Sequence, residues 1–180
     1  MDSEQIIAST SKWVKQIVIG LNFCPFANQP FIKNQIYYHV YDASSISDIE
    51  IHLQKMIDLL INNPTIETVL IIFPTHFASF SSFLQGIKRA ERYLEKKKYT
   101  NDYLIAHFHP NYIFNGVDKD DTSNYTNRSP YPILHLIKQS SIDKAKSSFK
   151  HIELIPEQNI KVAQKLGANY FEHILNCLKK

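Results

Sequence analysis

Apolar residues at Ile6, Ile7, Trp13, Val14, Ile17, Val18 and Leu21 repeat with the three-to-four spacing of a helix, and Asp2 with Gln5 has the form of a capping box. This spacing predicts a helix over residues 3–19, stopped by Gly20. The stretch from Leu21 to Ala27 stays apolar but contains Pro25, which lacks an amide proton and disfavours a helical Cys24, so it reads as a buried loop. From Ile36 the pattern changes to three runs rich in β-branched and aromatic residues, Ile36 to Tyr41, Thr68 to Phe73 and Tyr103 to Phe108. Helical spacing fills the gaps, over residues 47–61 (Ile49, Leu53, Met56, Ile57, Leu60) and 77–97 (Phe80, Phe83, Leu84, Ile87, Ala90, Leu94). The βαβαβ order predicts an α/β fold whose three-stranded, mostly parallel sheet is covered by helices, because helix-length crossovers favour parallel pairing. A ferredoxin-like α+β sheet with one antiparallel strand is the alternative.

Beyond Phe108 the periodicity lapses. Residues 109–130 carry turn formers at Asn115-Gly116, Asp118, Asp120 and Asp121, while Tyr112, Phe114 and Tyr125 argue that the loop is ordered. Ser129-Pro130 then has the form of an N-cap with proline in the first turn, predicting a short helix through Lys138 that contains His135. A further helical piece spans residues 141–147. A C-terminal helix begins at about Pro156, with Ile160, Ala163, Leu166, Tyr170, Phe171, Ile174 and Leu178 as its stripe.

Composition narrows the class. At 180 residues, 44% hydrophobic and 21% charged, residues 1–180 form a single domain large enough to fold without a metal or disulfide. A net charge of +3 without basic clusters argues against nucleic acid as a partner. Two widely separated cysteines, Cys24 and Cys177, read as free thiols. An acidic start without a signal-peptide pattern and the lack of a bilayer-length apolar run complete the expectation of a cytoplasmic protein away from membranes.

Candidate chemistry collects where strands of an open α/β sheet end: Asp42, Pro74-Thr75-His76 and His109-Pro110. His109 is the best-placed histidine, whereas His39, His52, His151 and His173 read as structural. His107 would face the same side as His109, either as a chelating pair or as a core residue under a helix. Arg128 stands out in a chain with three arginines and seventeen lysines, since its planar fork matches a carboxylate or phosphate. Asn124, Thr126, Asn127, Ser129 and Tyr131 surround it, and together they read as an anion pocket. The competing reading has Arg128 pinning the loop through Asp120 or Asp121. Tyr112, Phe114, Tyr125 and Tyr131 either stack a flat ligand or simply pack. Cys24 is a nucleophile, a soft metal ligand or an inert core thiol; with His109 and His135 it makes a Cys-His-His set suited to a transition-metal ion if the three converge. The run from Asp118 to Ser123 is not a calcium loop, because Ser123 replaces the required glycine.

Four segments resemble the motifs of the domain-of-unknown-function family 1415. They run from Trp13-Val14 through Cys24-Pro25-Phe26-Ala27, from Phe108 to Gly116, from Asn124 to Leu136, and from Ile155 to Ile160. The resemblance implies no reaction, but it places Cys24, His109, Asn124, Thr126, Asn127, Arg128, Ser129 and His135 within matching motifs. His107 stands where the family pattern has a small residue, and Gln158 and Lys138 where arginine is common, which leaves Arg128 as the main basic fork. The expectation from these residues is an enzyme acting on a small anionic metabolite held by loop 109–131, with Cys24, His109 and His135 in acid-base or metal-assisted chemistry. The alternative is a noncatalytic binding or accessory protein using the same loop as a recognition surface.

Overall fold

The computed structural model describes residues 2–41, 48–148 and 151–179; Asp42 and Ser47 lie outside them. Helix α1 (Ser3–Trp13) opens with Asp2, whose carboxylate accepts from the amide of Glu4, and continues as a π-helical segment, Val14–Ile19, ending at Gly20. The expected loop at 21–27 ends in a 3₁₀ turn, Pro25–Ala27, that leads into the short α2 (Asn28–Ile32). Strand β1 (Ile36–Val40), α3 (Ile49–Asn62), β2 (Thr68–Ile72), α4 (Phe80–Lys97) and β3 (Tyr103–Phe108) follow where the periodicity puts them.

The next segment differs from expectation. Residues 133–138 form a strand, β4 (Ile133–Lys138), rather than a helix, and the four-stranded sheet has the order β1-β2-β4-β3. Strand β4 is antiparallel to both neighbours, with His135 opposite Leu70 on β2 and Ala106 on β3. Strands β1 and β2 are parallel, and β3 points the same way because β4 reverses between them. The three expected strands are therefore mutually parallel, but β2 and β3 never touch in the ladder. The fold is mixed α/β, and the sheet has four strands instead of three.

Among the described residues three more α-helices follow, α5 (Gln139–Ser148), α6 (Ile155–Leu166) and α7 (Ala168–Leu178). The single C-terminal helix expected from the stripe is broken at Gly167, whose φ of 76° is one a side chain would resist. Helices cover both faces of the sheet. On one face Leu53, Ile57, Phe83 and Ile87 of α3 and α4 pack on Val69, Ile71, Leu134 and Leu136. On the other, Ile6, Trp13 and Ile17 of α1 and its π extension, with Ala163 and Phe171 of α6 and α7, pack on Leu70, Ile72 and Ile133. No helix among the described residues is long and apolar enough to cross a membrane.

At the exit from β2, Phe77 takes a left-handed φ of 61° and turns its ring onto Gly86 of α4. A Cβ at Gly86 would stand 2.5 Å from Cζ of that ring. Gly86→Ala is therefore expected to cost about 1–3 kcal/mol, the usual penalty for overpacking, measured as a lower thermal midpoint. An unchanged midpoint would mean that the Phe77 ring yields freely.

Candidate functional site

Two hollows between them take in Cys24, His109 and His135, and they lie in different parts of the sheet; residues 124–129 line neither. The first, of about 240 Å³, sits at the ends of β2 and β3, lined by residues 74–78, His109-Pro110, residues 130–132 and Lys179. This is the strand-exit position expected for His76 and His109. His109 is 1% exposed and its ring is fully engaged. Nε2–H donates to the carbonyl of Phe77 at 2.9 Å, and Nδ1 accepts from the amide of Asn111 at 2.9 Å. A carbonyl can only accept and an amide can only donate, so the tautomer is determined. Burial pushes the imidazole below its ordinary pKa, against the Phe77 hydrogen bond, so the ring is held neutral. His109 thus clamps the strained turn at Phe77 to the start of loop 109–131. His107 does lie on the same side, 5.9 Å from the ring of Phe83 as His109 is 5.2 Å, and burial lowers its pKa also.

The second hollow, of about 270 Å³, lies over the middle of the sheet. Its floor is built from residues of all four strands: Ile36, Thr68 and Leu70, Ala106 and Phe108, His135 and Ile137. Trp13, Val14 and Val18 of the first helix and its π extension form one wall, Cys24, Phe26, Ala27 and Pro30 a second, and Ser141, Ile142 and Ala145 of α5 a third. The lining is mostly carbon. Burial alone pushes His135 down to about 4, and its Nε2 meets Thr68 Oγ1 at 2.6 Å. Burial also raises the Cys24 thiol, opposed by the amides of Phe26 and Ala27, so the sulfur stays protonated at neutral pH. Glu67 lies among the lining residues and accepts from the Ser141 hydroxyl.

Cys24 and His135 therefore share a cavity, and His109 lines the other. The Cys-His-His set does not assemble, and among the described residues no group of three or more His, Cys, Asp or Glu side chains is placed to hold a metal ion.

The polar residues of loop 109–131 hydrogen-bond chiefly to the loop itself. Asn124, 0% exposed, accepts from the amide of Phe114 at 3.0 Å and donates to the carbonyl of Asp118 at 2.8 Å. Thr126 donates to the carbonyl of Ser123, Ser129 to that of Tyr131, and Asn127 takes the amide of His109 on its carbonyl. The Arg128 guanidinium lies 4.2 Å above the Tyr125 ring and donates to the carbonyls of Lys119 at 2.7 Å and Tyr112 at 3.4 Å. Its pinning role runs through carbonyls rather than through Asp120 or Asp121. Tyr125 and Tyr131 are buried, and the Tyr125 hydroxyl ties the loop to Glu172 on α7 at 2.8 Å. Asn159, without an evident duty in the sequence, donates to the carbonyl of Phe23 and secures the segment that carries Cys24.

Sequence reasoning passed over Thr68, Ala106 and the α5 wall. Thr68 alone carried a signal, as the one polar residue in Thr-Val-Leu-Ile-Ile. A mixed α/β domain with helices on both faces and an apolar cavity on one of them is the class that fold and cavity define. Residues 5–173 match the family described as a protein of unknown function, DUF1415, and the chain belongs to that family. No curated protein and no solved structure is similar enough to the chain to count as a match.

Proposed function

We propose that the protein binds a small, largely apolar molecule in the cavity over the sheet. The observation that carries this reading is a hollow of about 270 Å³ with carbon walls and a few convergent polar groups, Thr68, His135 and Cys24. Loop 109–131 supports an anion site less well, because its amides, hydroxyls and guanidinium already have carbonyl or amide partners. Its role in this reading is to hold β3 and β4 in register beside the cavity.

Trp13, the one tryptophan of the chain, lines the hollow and serves as the reporter. Titration with toluene is expected to change its fluorescence saturably. Ala106→Leu, which fills the floor opposite His135, should weaken that binding at least about tenfold while leaving the fold intact. A wild-type protein with no saturable response would overturn the reading.

A further inference from the structure

We infer that the molecule taken by this cavity is neutral and donates one hydrogen bond, as a phenol, an alcohol or an N–H heterocycle does, and that Nδ1 of His135 accepts it. This rests on the small-molecule reading above and adds the chemical class of the ligand.

The argument starts from proton counting. The Thr68 hydroxyl has a single proton and two neighbours, the carbonyl of Leu136 at 2.8 Å and Nε2 of His135 at 2.6 Å. The carbonyl cannot donate, so the hydroxyl gives its proton there and accepts from Nε2–H. His135 is thereby fixed as the Nε2–H tautomer, and Nδ1 keeps a lone pair. Among the described residues no hydrogen bond reaches that nitrogen, nor is it one of the buried polar atoms left without a partner, while the ring lines the cavity. Nδ1 is thus an acceptor without a protein partner that opens onto the cavity, where a donor entering the space can reach it.

Charge narrows the class further. Among the described residues no lysine or arginine lines the hollow, so a carboxylate or phosphate would lose its water without gaining a counter-charge from them. Glu67, the one carboxylate among those lining residues, already takes the Ser141 hydroxyl. The imidazole is itself held neutral by burial. The walls suit a ring, since Trp13 and Phe108 meet edge to face at 5.0 Å, and the volume accommodates a molecule on the order of ten non-hydrogen atoms.

The test compares 4-methylphenol, toluene and 4-methylbenzoate on the full chain, with Trp13 fluorescence for affinity and ¹⁵N spectra of the His135 ring for contact. The expected result is that 4-methylphenol shifts the Nδ1 signal while toluene binds without shifting it. His135→Phe should lower the affinity for 4-methylphenol relative to toluene by about three- to tenfold, the worth of one hydrogen bond. Binding of both neutral ligands with no Nδ1 shift overturns the donor assignment and leaves the cavity reading standing. Benzoate binding as tight as that of the phenol overturns neutrality. If no ligand binds, the cavity reading falls and this inference falls with it. The ring spectra need only wild-type protein, so a poorly folding His135→Phe does not remove the test.

Discussion

Acidification from pH 6.5 to about pH 4 is expected to weaken the fold by about 2–3 kcal/mol through His135 alone. The sign follows from the direction of the shift. In the folded chain His135 sits at about 4, below the 6.5 of a free imidazole, so the unfolded chain takes up the proton first. Stability is complete above pH 6.5, drains as the pH falls, and has lost its full share once the folded ring also titrates near 4. His107 and His109 shift in the same direction for the same reason, burial, and steepen the loss. Urea unfolding at pH 7, 5.5 and 4 on wild type and His135→Phe checks this. Carboxylate titrations are common to both proteins and cancel in the difference. Parallel pH profiles for the two would sink the idea.

Asn124→Asp is the second change with a large expected effect, about 3–4 kcal/mol lost at neutral pH. The substitution conserves shape but replaces the Nδ2 donor, which serves the carbonyls of Asp118 and Lys119, with an oxygen that repels them. At 0% exposure no water compensates. Arg128→Lys should cost less, about 1–2 kcal/mol, because an ammonium loses the stacked plane over Tyr125 and satisfies fewer carbonyls. If loop 109–131 is a scaffold, both variants lower the unfolding midpoint and leave toluene affinity in the surviving folded protein unchanged. A full-strength fold in Asn124→Asp would contradict the hydrogen-bond pattern.

These loop residues also show where reading the chain alone runs out. Asparagine, threonine and arginine in a polar loop are the right types for holding an anion and for capping backbone groups. The distinction lies in whether carbonyls such as those of Tyr112 and Lys119 are within reach, and every residue has a carbonyl. The strands β1, β2 and β3 and the helices α3 and α4 were legible because each keeps one period over its length. Strand β4 was not, since a central strand buried on both faces loses its alternation: Ile133, Leu134, Leu136 and Ile137 are all apolar. With Ser129-Pro130 ahead of it, such a run also fits a short helix. That misreading carried His135 with it, because the residue was recognised while its element and its neighbours Leu70 and Ala106 were not. The cavity's other walls come from distant segments, and Val14, Val18 and Ala145 have no side-chain chemistry to announce a site.

The place of β4 has a consequence for how the chain matures during synthesis. The ladder partners of Thr68 include Ile137, so β2 waits for nearly the whole of the intervening chain before its second edge is covered. Until then the apolar edges of β2 and β3 are both available and run in the same direction, the arrangement in which they can pair with each other by mistake. Strands β1, β2 and β3 are thus all synthesised before the strand that separates β2 from β3. The connection through residues 109–132, cross-braced by Asn124 and Arg128, is what delivers the fourth strand into the gap. Its rigidity then bears on the yield of correctly assembled protein, beyond its effect on the stability of the finished one.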